Sequence, residues 1–459
     1  MKSVIYDLHR QLISGERTCR EIVQEKQSLL AENEYQSVNL LLGESSLAAA
    51  DQIDEKIKSG GFIGLLEGIP FGIKDVIHLQ GCVTSGSSGF LKNYISPYTA
   101  TAVQKLLDTG AIPVVKENCD SFGHGVTGKN SIFGAVCNAH DKSRVAGGSS
   151  SGSAVNVAKG YTAFSIGGDT GGAIPAGYNK IYSLKPTFGR VSRYGIMANC
   201  SATDGVGPMA ASLEDIRILL NVMSGKDVHD QIAFATTAIP DDIFNVKEQI
   251  TVGYYKRFLE NKILDATIKS AFEKMLATIS NHGIRVIPLD SFDTDAVVAT
   301  ALVLAMADAS SLLARFDGTL YGARSNNKNV LEGYMITRSE NLSDESKRRI
   351  TGGIQALSHG YEEDVFPKAK IMKSRIVNAL NEDFEKTDII LSPATVTLPP
   401  TIDQSLDDPF MEAFSAGFNL GGVPTLTAPL FTPTGIQVTA NKNREGLILT
   451  FTNFLEEAE

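Results

Sequence analysis

The order of apolar and polar positions predicts alternating helices and strands along this chain. Between residues 4 and 33, apolar side chains recur at near-helical spacing, as at Ile5, Leu8 and Leu12, which predicts helices. From residue 60 onward, short apolar runs alternate with helical stretches. A strand followed by a helix and another strand implies a crossover connection. The pattern therefore predicts an α/β protein with a partly parallel sheet covered by helices.

Single elements can be placed within this pattern. Strands are predicted near residues 68–77, 111–115, 164–166, 388–392 and 424–430, and helices near 99–109, 154–158, 263–282 and 366–384. The stretch 260–385 is richer in charge and more helical, and no Pro/Ser-rich linker or internal repeat divides the chain. We therefore expect a single domain over residues 1–459, with a helical elaboration at about 260–385.

Composition and charge exclude several classes of protein. The 459 residues include 42 Lys and Arg against 52 Asp and Glu, a net charge of −10. Because phosphate binding needs a basic face, the chain is not expected to hold nucleic acid by itself. No apolar run approaches the roughly 18 residues needed to cross a bilayer, so no membrane insertion is expected. The five cysteines and seven histidines lack ligand spacing, and no metal or disulfide framework is expected.

Three segments are candidates for chemistry: Lys74 in the apolar run GIPFGIKDVI, the tract GGSSSGS at 147–153, and the loop GGDTGGA at 167–173. A lysine in an apolar strand is either buried, where a neutral amine can act as a general base, or a strand-end residue that reaches solvent beside Asp75. The tract is a linker or, because a helix follows directly, a set of N–H groups that bind negative charge. The glycines of the second loop allow a sharp turn and an oxyanion hole.

Taken together, these segments resemble the amidase signature family. The resemblance implies a large mixed, twisted sheet with helices on both faces, and a triad made of a lysine, a relay serine and a nucleophilic serine. It places the base at Lys74, the relay at Ser149 and the nucleophile at position 173. It also implies oxyanion N–H groups from Thr170, Gly171 and Gly172. The Ser150 hydroxyl is expected to support substrate binding.

Within that family, the chain is similar to the A subunits of glutamyl-tRNA(Gln) amidotransferases. The residues that carry this likeness are 185–195, 347–350, 357–361 and 419–424. The likeness implies hydrolysis of glutamine, with Arg349 and Glu412 holding its amino-acid end; the family has aspartate at the second position. The partners it implies are a B subunit together with a small third subunit. Glu-tRNA(Gln), ATP and Mg²⁺ are expected to be handled by the complex and its B subunit, and this chain needs no cofactor of its own.

Position 173 departs from the family pattern, because it holds alanine. An arginine and its neighbour that usually follow the nucleophile are also missing, since Ala173-Ile174 runs directly into Pro175. Alanine cannot attack a carbonyl, and loss of a hydrolase nucleophile can cost on the order of 10⁶ in turnover. We therefore expect very poor glutamine hydrolysis. A natural loss, a deliberate replacement and a fault in the sequence of this loop all remain open as its origin.

Two other functions remain open at this point: a stand-alone amidase of a small or fatty amide, and a catalytically dead structural subunit. His124 lies near the candidate site, where a packed structural role is expected. Departures from bacterial A subunits, such as VNVAK at 155–159, favour the mitochondrial matrix as the location. The alternative location is the bacterial cytoplasm.

Overall fold

A computed structural model describes residues 2–168, 173–240, 250–291, 293–325, 329–358, 360, 365–404 and 408–459. The predicted oxyanion residues Thr170, Gly171 and Gly172 lie outside this range, as do His359 and Tyr361 of the stretch 357–361. The strands are β1 Val38–Leu41, β2 Pro70–Lys74, β3 Ile112–Glu117, β4 Phe164–Gly168, β5 Tyr182–Lys185, β6 Val206–Ala210, β7 Thr251–Tyr255, β8 Arg285–Leu289, β9 Ile389–Pro393, β10 Thr425–Ala428 and β11 Ile436–Ala440.

In the described part of the chain these strands form one sheet of eleven, in the order β1-β3-β2-β4-β6-β5-β10-β11-β9-β7-β8. Strand β2 runs parallel to β3 and β4, and β7 runs parallel to β8 and β9. The other paired strands are antiparallel. The predicted large mixed sheet is therefore confirmed.

The α-helices surround this sheet, and they also agree with the apolar pattern. The four helices placed by spacing after residue 60 are present, and the predicted helix at 366–384 keeps its bounds. The helices are α1 Val4–Ile13, α2 Cys19–Glu32, α3 Gly43–Lys58, α4 Thr101–Asp108, α5 Ser151–Ala158, α6 Ala173–Asn179, α7 Leu213–Met223, α8 Lys256–Leu259, α9 Ala266–Asn281, α10 Thr294–Leu312, α11 Val330–Asn341, α12 Asp344–Leu357, α13 Phe366–Phe384, α14 Ala416–Gly421 and α15 Glu445–Ala458.

Six strands lie outside the strands predicted from the sequence: β1, β5, β6, β7, β8 and β11. Strand β8 falls inside the stretch expected to be helical, and it forms one edge of the sheet beside β7. Its burial does not alternate, since only Leu289 is fully buried and Arg285 and Pro288 are exposed. A short edge strand of this kind carries no clear period-2 pattern, which explains why sequence reasoning missed it.

Helix α10 corrects the expectation drawn from apolar runs. The segment Thr294–Arg315 has a mean hydropathy of 1.9, and it is long and apolar enough to cross a membrane. Helix α10 packs against α12, α13 and α14, and Val298, Ala301, Leu302 and Ala305 line a cavity described below. The apolar composition is explained by packing and cavity lining. The statement that no run approaches membrane length is wrong, and the absence of membrane insertion stays a prediction.

Candidate active site

A buried lysine and a serine are hydrogen bonded at the carboxyl end of β2. Lys74 is the last residue of β2 and is 1% exposed. Its Nζ donates to Ser149 Oγ at 2.7 Å and also to the carbonyl oxygen of Gly168, the last residue of β4. Because β2 and β4 are parallel neighbours, their carboxyl ends meet at one edge of the sheet. The structure thus unites two predicted site residues, and the alternative of a solvent-reaching Lys74 is wrong.

Ser149 lies in the loop before α5 and is fixed through its backbone. The Gly148–Ser149 peptide bond is cis. The Asp120 N–H donates to the carbonyl oxygen of Ser149 at 3.2 Å. The Asp120 carboxylate accepts hydrogen bonds from the N–H groups of Gly128 at 3.0 Å and Asn130 at 2.9 Å. The loop that follows β3 therefore holds the Ser149 loop in place.

Glu117 joins two strands and a helix next to this loop through a buried carboxyl group. It is fully buried at the end of β3. Its oxygens accept hydrogen bonds from Ser153 Oγ at 2.6 Å and Asn156 Nδ2 at 3.0 Å on α5, and from Ser165 Oγ at 2.7 Å on β4. Burial raises the pKa of Glu117 to about 7, although these three donors oppose the rise. The carboxyl group anchors α5, and with it the Ser149 loop, to the sheet.

Glu117→Gln is expected to flatten the pH dependence of folding stability. The folded-state pKa of Glu117 is raised, so the unfolded chain loses this proton first. Its contribution to the free energy of unfolding is therefore present below about pH 4.5 and is lost as the pH rises to about 7. A glutamine has no charge to bury and removes that slope. Denaturant unfolding across this pH range measures the effect, with the exposed Glu385→Gln as the matched control. An unchanged slope in Glu117→Gln would contradict the prediction.

A cavity of about 60 Å³, here called the Ser149 cavity, opens beside Ser149. Arg349 from α12 and Glu412 from the 3₁₀ helix Pro409–Glu412 also line it. The structure therefore brings two of the three predicted substrate-binding residues, Arg349 and Glu412, to the same cavity as the predicted relay serine.

Two arginines share one carboxylate at the wall of the Ser149 cavity. Arg349 Nε donates to Glu345 Oε1 at 2.8 Å, and Arg348 donates to both Glu345 oxygens at 2.6 and 2.8 Å. The Arg349 side chain is 13% exposed, so it is not the solvated helix residue that its basic neighbours suggested. Arg349 reaches Glu345 only through Nε, and its two Nη groups make no hydrogen bond to a described residue. Glu412 adds a carboxylate to the same lining, and an amino acid's two charged groups match this arrangement.

His124 connects α12 to the segment 123–125, whose two glycines line the Ser149 cavity. Ser343 Oγ donates to Ser346 Oγ at 3.0 Å, which leaves the Ser346 hydroxyl free to donate to His124 Nδ1 at 3.1 Å. Burial and the charge of Arg349 lower the pKa of His124 well below its ordinary value, while the Asn199 side chain opposes this. The His124 ring is 1% exposed, and because its pKa is lowered it is neutral. This is the packed structural role expected from the sequence.

Two other predicted site residues, Ala173 and Ser150, do not line the Ser149 cavity. Ala173 is the first residue of α6 and is 3% exposed. The Ser150 hydroxyl donates to the carbonyl oxygen of Gly168 at 3.1 Å, the same oxygen that accepts from Lys74. Ser150 is fully buried and is not among the residues that line the Ser149 cavity, so the structure does not place it against a ligand there, contrary to the expectation from the sequence. Its hydroxyl group instead supports the end of β4 beside Lys74.

Sequence reasoning missed several residues of the site. Glu345 had a detectable signal, since its spacing of three and four residues from Arg348 and Arg349 predicts ion pairs on a helix. Asn199 and Asn419 also line the cavity. They come from distant segments of the chain. Asn419 begins the stretch 419–424 that carries the family likeness, but no local pattern predicts that it meets Asn199 in the fold.

The amidase family model matches residues 22–449 of this chain. This range spans all elements that build the site, from β2 to α14. The chain therefore belongs to the amidase family, which is a family of enzymes with the large mixed α/β sheet found here.

Relatives within this family share nearly the full length of the chain. The A subunit of the glutamyl-tRNA(Gln) amidotransferase of Trichodesmium erythraeum is 36% identical over 476 residues, covering 99% of this chain and 97% of that protein. The protein of the same name from Koribacter versatilis is 36% identical over 467 residues, covering 96% and 97%. The crystal structure of the Thermotoga maritima protein of that name is 30% identical with a TM-score of 0.72, covering 84% of this chain and 82% of that one.

Proposed function

We propose that this chain is the A subunit of a tRNA-dependent amidotransferase and that the Ser149 cavity binds glutamine. The observation that carries the proposal is the shared cavity: the hydrogen-bonded partner of Lys74 and the charged residues Arg349 and Glu412 line the same space. Arg349 takes the α-carboxylate, and Glu412 takes the α-ammonium group. The carboxamide then points towards Ser149. The amidotransferase relatives support this choice of substrate.

The chemistry of the site depends on position 173. With a serine there, Lys74 takes a proton through Ser149 while the serine oxygen attacks the carboxamide carbon. The proton then passes to the leaving ammonia, and water hydrolyses the resulting ester. Alanine lacks the attacking oxygen, so this chain binds glutamine without turning it over. Lys74 and Ser149 keep their hydrogen bond in the absence of a nucleophile.

The proposal extends to the complex. Ammonia from a competent A subunit passes to a B subunit that uses ATP and Mg²⁺ to amidate Glu-tRNA(Gln), and a small third subunit completes a heterotrimer. This chain contributes no cofactor. The proposed location is the mitochondrial matrix, with the bacterial cytoplasm as the alternative.

Two alternatives differ in what they need. A stand-alone amidase needs no partner, so stoichiometric co-purification of a B subunit with this chain from its source separates it from the proposal. A fatty amide is further disfavoured because it has no charged groups to match Arg349 and Glu412, which line the Ser149 cavity. The other alternative is a dead structural subunit, which Ala173 favours and which needs no glutamine binding.

Arg349→Gln is expected to weaken glutamine binding to the full chain by about tenfold or more, because a hydrogen bond to a charged group is worth about 1.5–3 kcal/mol. Calorimetric titration measures this directly, since Ala173 prevents turnover. Arg375→Gln, on the exposed face of α13, is the matched control and keeps the affinity. Absence of saturable glutamine binding, or equal affinities in both variants, would refute the proposed substrate.

A further inference from the structure

A second cavity of about 310 Å³ lies apart from the Ser149 cavity, and half of the residues that line it carry aromatic rings. We call it the aromatic cavity. Its rings include Tyr94, Tyr98, Phe316 and Tyr321, and it also contains His78 and Arg315. A volume near 300 Å³ lies at the lower end of the range of about 300–1,000 Å³ for small-molecule sites.

The rings pack against one another from distant parts of the chain. The centroids of Tyr94 and Tyr321 are 6.0 Å apart, and those of Phe316 and Tyr321 are 5.7 Å apart. The rings of His78 and Tyr98 lie 5.0 Å apart. Such spacings are typical of favourable aromatic pairs. The wall is therefore preformed, and it suits a flat ring that can stack or meet these rings edge to face.

Neighbouring residues separate the two cavities. Phe122 lines the aromatic cavity, whereas the next residue, Gly123, lines the Ser149 cavity. In the same way, Ala198 lines the aromatic cavity and the next residue, Asn199, lines the Ser149 cavity. Asn199 Nδ2 donates to the carbonyl oxygen of Gly123 at 3.0 Å, which joins the two segments. The aromatic cavity therefore shares a wall with the candidate active site but contains none of its charged residues.

His78 presents a fixed hydrogen-bond acceptor. Ser96 Oγ donates to the carbonyl oxygen of Tyr98 at 2.7 Å, so it accepts the Nδ1–H of His78 at 3.0 Å. Burial and the charge of Lys116 lower the pKa of His78 to about 4, which keeps the ring neutral. Its Nε2 then has no proton, and it makes no hydrogen bond to any residue that the structure describes. This nitrogen is available to accept a hydrogen bond.

Arg315 supplies a positive charge at the exposed side of the cavity. Within the described ranges it has no ion pair, and its electrostatic partner is Tyr321. The hydroxyl groups of Tyr94, Tyr98 and Tyr321 also make no hydrogen bond to a described residue. The cavity thus combines ring faces, an acceptor nitrogen, free hydroxyl groups and an unpaired guanidinium group, which forms strong hydrogen bonds with a carboxylate.

From these features we propose that the aromatic cavity is a second ligand site, which binds a small aromatic carboxylate bearing a ring hydroxyl group. The ring packs between Tyr98 and Tyr321. The carboxylate meets Arg315, and the hydroxyl group donates to His78 Nε2. The proposal does not depend on glutamine binding in the Ser149 cavity, because the two sites share no charged residue.

Titration of the full chain with 4-hydroxyphenylacetate tests the site. We expect saturable binding of one molecule per chain, weakened about tenfold by Arg315→Gln because the charged hydrogen bond is lost. The exposed Arg324→Gln is the matched control and keeps the affinity. The neutral amide 4-hydroxyphenylacetamide binds about tenfold more weakly to the unmodified chain and is insensitive to Arg315→Gln. Cyclohexylacetate, which lacks the flat ring, also binds more weakly.

A second variant tests the contribution of the aromatic ring of Tyr98 separately from the charge of Arg315. Tyr98→Leu keeps a side chain that fills space and removes the ring, so it is expected to weaken the aromatic acid more than cyclohexylacetate. Thermal unfolding midpoints establish that each variant is folded. The proposal is overturned if 4-hydroxyphenylacetate does not bind saturably, or if neither Arg315→Gln nor Tyr98→Leu changes its affinity in a folded chain.

Discussion

Ala173→Ser is expected to raise glutamine hydrolysis by about 10³-fold or more above the present chain, measured as ammonia release from the assembled complex. The introduced oxygen supplies the nucleophile that the family resemblance places at position 173, and the Lys74–Ser149 pair that would take its proton is already hydrogen bonded. Removal of a hydrolase nucleophile can cost on the order of 10⁶. The expected gain is smaller, because the two residues that usually follow the nucleophile are absent.

Two further variants separate catalysis from a general effect at position 173. Ala173→Gly introduces no nucleophile and is expected to leave ammonia release at background. In the Ala173→Ser chain, a second change of Ser149→Ala removes the path of the proton to Lys74 and is expected to abolish most of the gain. If Ala173→Ser stays at background in a folded complex that still binds glutamine, the site has a structural role and the hydrolytic interpretation fails.

Gly148→Ala is expected to destabilise the fold by about 3 kcal/mol or more, or to prevent folding, because an added methyl group meets atoms that cannot move. Its Cβ would lie 1.9 Å from Asp120 Oδ2 and 2.8 Å from the Gly128 nitrogen. That carboxylate is itself held by two backbone N–H groups. Denaturant unfolding measures the loss.

Gly43→Ala is the matched control for this change. Apart from its chain neighbours and its own helix backbone, no described atom lies within 4 Å of the added Cβ, and Gly43 is the first residue of α3. We expect this variant to be as stable as the unmodified chain or slightly more stable, since alanine has the higher helix propensity. Equal stability of Gly148→Ala and Gly43→Ala would mean that the Ser149 loop is less constrained than its contacts indicate.

Local patterns predicted much of the fold. The spacing of apolar residues predicted helix α13 with its observed bounds. Short apolar runs predicted strands at the positions of β2, β3, β4, β9 and β10. Periodicity reports which faces of an element are buried, and it does so well for long helices and apolar strands. It failed for β8, because an edge strand has few buried positions, and for α10, because a helix that lines a cavity has the composition of a membrane span.

The residues of the candidate active site also fall into two groups, those that local patterns indicated and those that depend on long-range packing. Lys74 and Ser149 stood out because a lysine in an apolar strand and a Gly/Ser tract before a helix are unusual combinations. Glu117 could not be found in this way, since its three donors come from α5 and β4, far along the chain. Asn199 and the wall it shares with the aromatic cavity depend equally on long-range packing.

The sequence by itself indicated the mixed α/β class and marked Lys74 and the tract 147–153 as unusual, because these are properties of residue type and local spacing. The roles of base and relay serine, and the missing nucleophile at position 173, followed from the family resemblance that the same residues carry. Only the tertiary structure decided that Lys74 is buried and bonded to Ser149, that Arg349 shares Glu345 with Arg348, and that a second cavity exists. Burial, ion pairing and cavities are set by contacts between residues distant in sequence, and a one-dimensional pattern does not contain those contacts.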